Sequence, residues 1–145
     1  AVDAAVASDG WKIVTQQTAE WNAEKAQQIV QSVIDSGESF NVIYAENDDM
    51  AKGAVAALDK ANISHGVSKD VIVMGFDCNK WALEELLKGN WNYDGQCNPF
   101  QSSYIDSVIK DLEAGKTITE KVIIMDEKGF DATTITQEDV DKYGI

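Results

Sequence analysis

The stretch VIVMGFDCN, residues 71–79, places a nearly continuous apolar run directly before an abrupt change to polar residues at Asp77. Such a run is typical of a strand that is covered on both faces of a parallel sheet. Segments with the 3.6-residue spacing of amphipathic helices flank it, at Asp48–Ala61 and Asn79–Lys88. We therefore predict a buried strand at Val71–Phe76 with a helix before it and another after it.

The same alternation extends along the chain in both directions. The further predicted strands are Trp11–Gln17, Phe40–Ala45, Trp91–Gln96 and Lys121–Met125, and the further predicted helices are Trp21–Ser36 and Pro99–Gly115, with a capped turn at Thr136–Tyr143. Strands that alternate with helices of this length indicate an α/β fold, an open parallel sheet with helices on both faces in a three-layer, Rossmann-like arrangement. Residues 1–7 read as a helix without a cap, so we expect that helix to begin upstream.

The charge balance excludes several classes of partner. The chain has 145 residues, 12 of them basic and 25 acidic, for a net charge of −13, and every basic residue is Lys. Nucleic acids and anionic membranes bind clusters of Lys and Arg, so we expect neither as a partner. Two Cys and one His give no zinc-binding set, and no glycine-rich phosphate loop follows a strand, so we expect no metal and no cofactor.

Polar side chains follow several predicted strands. Asn47, Asp77 and Gln96 each come at a strand's carboxyl end, and Trp21 follows the first strand by a few residues. Ligands of open α/β sheets bind at this edge. Amides donate and accept hydrogen bonds, carboxylates accept them, and an aromatic ring packs on the C–H face of a sugar ring. These residue types favour a neutral sugar over an anion, and we see no catalytic set.

Each of these residues also has a structural interpretation. We favour Asp48 as the cap of the helix that starts there, and Asn47 is equally suited to capping and to ligand binding. Asp77 is also placed to cap the next helix, Gln96 alone would pass as a surface residue, and Trp21 would pass as a core residue.

Four segments together resemble a known family. They are QQTAEW (16–21), YAENDDMAKGAVAAL (44–58), VIVMGFDCN (71–79) and ALEELLKGNWNYDGQCNPF (82–100). They resemble the periplasmic sugar-binding proteins of ABC transporters, in the ribose- and galactose-type group. The part AENDDMAKGA is the most specific, because the family shows Asn-Asp-x-Met-Ala-x-Gly-Ala there. The resemblance places the ring-stacking aromatic on Trp21, the sugar-binding polar residues on Asn47 and Asp77, and the hinge-side residue on Gln96.

The resemblance also implies a domain organisation. Family members have two lobes, and this chain is similar to the second half only. By that pattern residues 1–95 form the C-terminal lobe. Residues 96–119 form a hinge crossing and a helix that packs on the first lobe, and residues 120–145 form the last strand and tail. The helix has an apolar stripe, here called the Tyr104 stripe, which consists of Tyr104, Ile105, Val108, Ile109 and Leu112.

The resemblance further implies a non-enzymatic protein outside the cytoplasm, lipid-anchored in a Gram-positive organism, that delivers a pentose or hexose to an ABC permease. The Tyr104 stripe is then expected to meet the first lobe or a second copy of the chain. Family topology makes the strands before Cys78 and Cys97 neighbours, so a disulfide and two free thiols remain equal alternatives. Two other function classes are the effector-sensing domain of a LacI-type transcription regulator and a phospho-acceptor protein with Asp77 as the acceptor.

Overall fold

The computed structural model describes Val6 and residues 8–145. The prediction of a helix at 1–7 therefore lies, Val6 apart, outside the described residues. In chain order the elements are α1 (Ala23–Asp35), β1 (Val42–Tyr44), α2 (Asp48–Lys60), β2 (Ile72–Asp77), α3 (Lys80–Leu87), β3 (Tyr93–Gln96), α4 (Ser102–Glu113), β4 (Gly129–Asp131) and α5 (Gln137–Tyr143).

The described strands form one sheet in the order β1-β2-β3-β4. β1, β2 and β3 are parallel, with Tyr44 opposite Met74 and Asp77 opposite Gln96. β4 runs antiparallel to β3 and places Asp131 opposite Tyr93. The predicted α/β fold is confirmed, although the sheet is mixed: three of its four strands are parallel and β4 is antiparallel. The ends of the three neighbouring parallel strands form its carboxyl edge.

Two predicted strands are wrong. Neither Trp11–Gln17 nor Lys121–Met125 is a strand, and the last strand of the chain is instead Gly129–Asp131. A strand is stabilised by the ladder it shares with a neighbour, and neither segment pairs with another strand in the described part of the chain. Ile124 is exposed as a result. Their β-branched residues gave a strand-like composition, but composition does not supply a partner.

The core lies between the sheet and helices α2 and α3. Its fully buried side chains come from both helices, from β2 and from the start of the β3 segment: Leu58, Val73, Ala82, Leu83, Leu86 and Trp91. Trp81 of α3 packs edge-on against Trp91, with ring centroids 5.9 Å apart. This packing fixes α2 and α3 against the strands whose ends form the carboxyl edge.

Unlike α2 and α3, helix α4 contributes no buried residue to the core. Ile105, Ile109 and Leu112 of the Tyr104 stripe are exposed, and a groove of about 320 Å³ separates the stripe from Ile123 and Met125. Among the described residues, no helix has both the length and the apolar character needed to cross a membrane.

Helices α1 and α2 approach each other closely at Gly53. A Cβ atom at this position would lie 2.0 Å from the carbonyl oxygen of Ala23. The glycine therefore lets the first turn of α1 lie directly on α2, which explains physically why a glycine fits this place in the Asn47–Ala54 motif. Since Gly53 is helical, it is required for the contact and not for its backbone conformation.

We expect Gly53→Ala to destabilise the protein by about 1–3 kcal/mol, because the added methyl group must push the two helices apart. Helix propensity alone would predict a gain of about 1 kcal/mol from the same change. Urea unfolding of the variant measures the difference. Gln28→Ala, an exposed change in α1, serves as the control and should alter stability by less than about 0.5 kcal/mol. A stabilised Gly53→Ala variant would contradict the packing described here.

Candidate functional site

The carboxyl ends of three parallel strands bring Asn47, Asp77 and Gln96 to one edge of the sheet. Asp77 and Gln96 are register partners at the ends of β2 and β3. The ladder between β1 and β2 continues past Tyr44, because the Ala45 N–H donates to the Met74 carbonyl at 3.1 Å. Asn47 follows two residues later at the start of α2. These three predicted site residues therefore lie side by side along the carboxyl edge.

Asn47 has a structural role as well as a position at the edge. Its Oδ1 atom accepts a hydrogen bond from the Met50 N–H at 2.9 Å, so Asn47 is the N-cap of α2. The preference for Asp48 as the cap was wrong. Asp48 is the first residue of the helix, and its carboxylate instead accepts hydrogen bonds from the N–H and the side-chain amide of Asn79. Asn47 is also buried, with 9% of its surface exposed, so its side chain is fixed at the edge mainly as the cap.

Asp77 is half-buried at the end of β2 and does not cap α3. Burial raises the pKa of its carboxyl group, and the neighbouring Asp49 carboxylate raises it further. A hydrogen bond from the Asp48 backbone N–H acts in the opposite direction and lowers it. The carboxylate therefore lies over the N-terminal turn of α2, next to Asn47.

Gln96 is the last residue of β3 and is hydrogen-bonded to the segment before β4. Its backbone N–H donates to the Lys128 carbonyl at 2.8 Å, and its Oε1 atom accepts from the Lys128 N–H at 3.3 Å. The side-chain carbonyl is thereby oriented, while the amide NH₂ group supplies two further donors. Gln96 is partly exposed, so a molecule at the edge has access to it.

Trp21 is 66% exposed and precedes α1, with a positive φ of 59°. The contact of Ala23 with Gly53 places the start of α1 against the N-terminal half of α2. Trp21 precedes this contact by two residues, so it lies near α2 as well. Its indole is not a core side chain, and its exposure leaves the ring available for stacking.

Sequence reasoning missed one carboxyl group behind the edge. Asp94 of β3 is fully buried, as is Asp48, and burial raises the pKa of both carboxyl groups. Side chains alternate between the two faces of a strand. Asp94 pairs in register with Gly75, so it lies on the same face of the sheet as the buried residues Val73 and Ile43. No cluster of His, Cys, Asp and Glu that could hold a metal ion is found in the described part of the chain.

The two cysteines are free thiols, so the disulfide considered for Cys78 and Cys97 is not formed. Cys78 is fully buried, with its Sγ atom 3.8 Å from Asp94 Oδ1, whereas Cys97 is exposed. The two side chains thus lie in different environments, one in the core and one at the surface. Burial, together with repulsion from Asp94 and Asp48, raises the pKa of the Cys78 thiol well above its usual range.

Comparison with known proteins identifies the family to which the chain belongs. A family model described as the periplasmic binding protein domain matches residues 1–117. The chain belongs to this family. Fructose import binding protein FruE from Bifidobacterium longum is 33% identical over 125 residues, which are 85% of this chain and 37% of that protein. A D-apiose import binding protein from Actinobacillus succinogenes is 30% identical over 118 residues, 79% of this chain and 36% of that protein.

Solved structures of periplasmic binding proteins share the fold. The arabinose-transporter binding protein from Shewanella sp. ANA-3, bound to L-arabinofuranose, superposes with a TM-score of 0.85 at 22% identity, over 97% of this chain and 46% of that one. A Mycobacterium smegmatis protein in complex with β-D-fucofuranose gives 0.78 at 26% identity, over 91% and 42%. The chain spans little more than a third of the length of the two curated relatives and less than half of these structures.

The two curated relatives and the Shewanella protein are named as binding proteins, and none of these names is that of a transcription regulator. The alternative of a LacI-type effector domain therefore finds no support. At the carboxyl edge the structure places the buried amide of Asn47, the partly exposed amide of Gln96 and the half-buried carboxyl group of Asp77.

We expect the two cysteines to differ strongly in reactivity. A thiol reagent such as DTNB should modify Cys97 in the folded protein, while Cys78 should react only after unfolding, since it is buried and its pKa is raised. The measurement is a count of reactive thiols before and after addition of guanidinium, without reductant. Cys97→Ser is the control and should abolish the reaction of the folded protein. Unfolded, unreduced protein without any reactive thiol would instead establish a disulfide.

Proposed function

We propose that the chain is part of the solute-binding component of an ABC-type sugar importer and that its carboxyl edge binds a neutral monosaccharide, a pentose or a hexose. The observation that carries the proposal is the alignment of Asn47, Asp77 and Gln96 on neighbouring structural elements. Asp77 would accept hydrogen bonds from two sugar hydroxyls, and the amides would both donate and accept. Trp21 would pack on the C–H face of the ring.

Charge supports a neutral ligand over an anionic one. Proteins recognise carboxylate and phosphate groups with Arg, which this chain lacks. The carboxyl groups of Asp49 and Asp77 lie close together at the edge. A phosphorylated or carboxylated sugar would meet repulsion there, whereas a neutral polyol would not.

The domain organisation in this proposal has three parts. Residues 1–95 form the C-terminal lobe, residues 96–119 form the hinge crossing and helix α4, and residues 120–145 form the last strand region and tail. The first lobe, absent from this chain, would close over the carboxyl edge and pack on α4. The Tyr104 stripe supports this, because about half of the surface of Ile105, Ile109 and Leu112 is left exposed by the chain itself. Sugar would then be held between two lobes, as in hinge-closing binding proteins.

The proposed partners are the sugar, a membrane permease and the first lobe or a second copy of the chain. The proposed location is outside the cytoplasm, periplasmic or extracellular, with a lipid anchor in a Gram-positive organism. The relatives named as import binding proteins support the location and the sugar. Nucleic acid is not expected as a partner, given the net charge of −13.

Calorimetric titration tests the proposed ligand class. The panel is D-ribose, D-fructose, L-arabinose and D-galactose, with D-ribose 5-phosphate and D-gluconate as anionic controls. We expect at least one neutral sugar to bind and both anions to fail, in the protein that contains both lobes. Binding of the anions alone, or of none of the neutral sugars, would overturn the proposal.

We expect Asp77→Ala to weaken sugar binding more than Gln96→Ala. A hydrogen bond to an ionised group contributes about 1.5–3 kcal/mol, against about 0.5–1.5 kcal/mol for a neutral one. The measurement is the dissociation constant of each variant for the sugar that binds best. Asp70→Ala, an exposed change of the same kind before the amino end of β2, is the control. Equal losses, or a larger loss for Gln96→Ala, would contradict the assignment of roles.

Without a first lobe, we expect the chain to dimerise through the Tyr104 stripe, because an isologous contact covers the same apolar surface on both copies. Light scattering over a range of protein concentrations measures the molecular mass. Ile105→Asp should shift the population to the monomer, and Ile124→Asp, at an exposed apolar position outside the stripe, is the matched control. A wild-type chain that stays monomeric at every concentration would show that the stripe is not an interface.

A further inference from the structure

The end of β2 has an unusual backbone conformation. Asp77 and Cys78 have φ angles of 129° and 62°, in the left-handed region that favours glycine, yet neither is glycine. Consecutive residues of this kind persist only where the surrounding structure holds them. Asp77 is also the proposed sugar-binding carboxylate, so whatever holds this turn also positions that side chain.

Backbone and side-chain hydrogen bonds hold the turn on two sides. The N–H and the side-chain amide of Asn79 donate to Asp48 Oδ2 at 2.8 and 3.1 Å. On the other side, the Ile145 N–H donates to the Cys78 carbonyl at 3.1 Å, and the Lys80 N–H donates to the Ile145 carbonyl at 3.0 Å. Two buried carboxyl groups accept from the turn, Asp48 from Asn79 and Asp94 from the Cys78 thiol at 3.8 Å.

Asp48 is itself paired with a second buried carboxyl group. Asp48 and Asp94 have no exposed surface, and both lie next to Gly75, the register partner of Asp94. Asp48 Oδ1 and Asp94 Oδ2 are buried and have no hydrogen-bond partner among the described residues. Gly75 leaves room for this arrangement, since a Cβ atom there would lie 2.6 Å from Asp48 Oδ1. A single proton would convert two unpartnered acceptors into one hydrogen bond.

The charges around the pair do not compensate for two ionised carboxylates. The titratable groups that face it are the Asp77 carboxyl, with Asp49 beyond it, and the Cys78 thiol. The nearby cations are engaged elsewhere, Lys80 with Asp141 and Lys52 over the Trp81 ring. Neither Asp48 nor Asp94 forms an ion pair with a Lys or His of the described residues.

We propose that Asp48 and Asp94 share one proton and together hold the turn at Asp77 and Cys78, so that the Asp77 carboxylate faces the sugar. The shared proton does not depend on the proposed sugar-binding function, whereas the positioning of Asp77 for a sugar rests on that function. Asp48 and Asp94 are positioning residues, since neither reaches the surface where the sugar would bind.

The shared proton has a consequence for stability at different pH values. Burial, and repulsion between the two groups, raise the pKa of Asp94 to about 8, and burial raises the pKa of Asp48 to about 6, from an ordinary value of 3.8. The unfolded chain releases these protons near pH 4, whereas the folded chain keeps one until about pH 8. The folded state thus binds more protons over this range, and stability falls as pH rises from about 4 to about 8.

Urea unfolding of the full chain at pH 5, 6, 7 and 8 tests the shared proton. We expect the unfolding equilibrium constant of the wild type to rise between pH 6 and 8, by up to about tenfold per pH unit for one proton. Asp94→Asn imitates the protonated acid and should flatten this rise. Asp126→Asn removes the same charge at the surface and should leave the rise intact. A rise that is the same in Asp94→Asn as in the wild type would overturn the shared proton.

Infrared spectroscopy gives a second test. At pH 7 the wild type and Asp126→Asn should show the carbonyl band of a protonated carboxyl group, and Asp94→Asn should lack it. If Asp94→Asn does not fold, unfolding calorimetry of the wild type at pH 7 in buffers of different ionisation enthalpy measures proton release directly. Release of close to one proton from this pair supports the proposal, and the absence of both the band and the release overturns it.

Titration of the two-lobe protein with D-ribose, D-fructose, L-arabinose and D-galactose tests the positioning role. Asp48→Ala removes the acceptor for the Asn79 N–H and should weaken binding of the best sugar at least tenfold. Asp48→Asn retains a carbonyl oxygen at that place and should restore most of the affinity. Equal affinity in Asp48→Ala and wild type would overturn the positioning role. If no sugar binds the wild type, the proposed function fails, and the unfolding and infrared experiments still decide the shared proton.

Discussion

The hydrogen bonds from Asn79 to the Asp48 carboxylate join the first turn of α2 to the end of β2. They connect a helix to the end of a strand through two residues, Asp48 and Asn79, that are 31 positions apart in sequence. Asn47, which precedes Asp48, and Asp77, which precedes Cys78 and Asn79, are thereby placed beside each other. The carboxyl edge depends on this contact, because parallel strands bring their ends to one edge but do not orient the side chains that follow them.

Much of the fold was predictable where the local pattern and the tertiary environment agree. The apolar run at β2, the helical spacing of α2 and α3, and Thr136 as the cap of α5 each indicate the element that forms. The segments Trp11–Gln17 and Lys121–Met125 show the limit of this reasoning. Their composition is strand-like, but a strand also requires a partner, and a partner is a property of the whole fold rather than of the segment. β4 was missed for the opposite reason, since Gly129–Asp131 pairs with β3 without a strand-like sequence.

The positions of the candidate site residues were predictable, but their local roles were not. Fold class alone places Asn47, Asp77 and Gln96 at the carboxyl ends of strands. Which of Asn47 and Asp48 caps α2 depends on a shift of one residue, and that shift depends on the backbone angles at the helix start, where Asn47 is extended. Asp94 was overlooked because an acidic residue is normally expected at the surface, and only its neighbours in the folded sheet show that it is buried.

An edge built from carboxylates without Arg is suited to neutral ligands, but it places acidic groups where no cation compensates them. Ionised pairs in a protein interior are strongly disfavoured unless they are partnered. Exposure to solvent lessens this difficulty at Asp77, which is only half-buried. At Asp48 and Asp94 solvent is excluded, and a retained proton is the remaining way to satisfy both carboxyl groups. With one shared proton, the two carboxyl groups behind Asp77 carry one negative charge between them instead of two, and the proton supplies the hydrogen bond that neither carboxylate could donate alone.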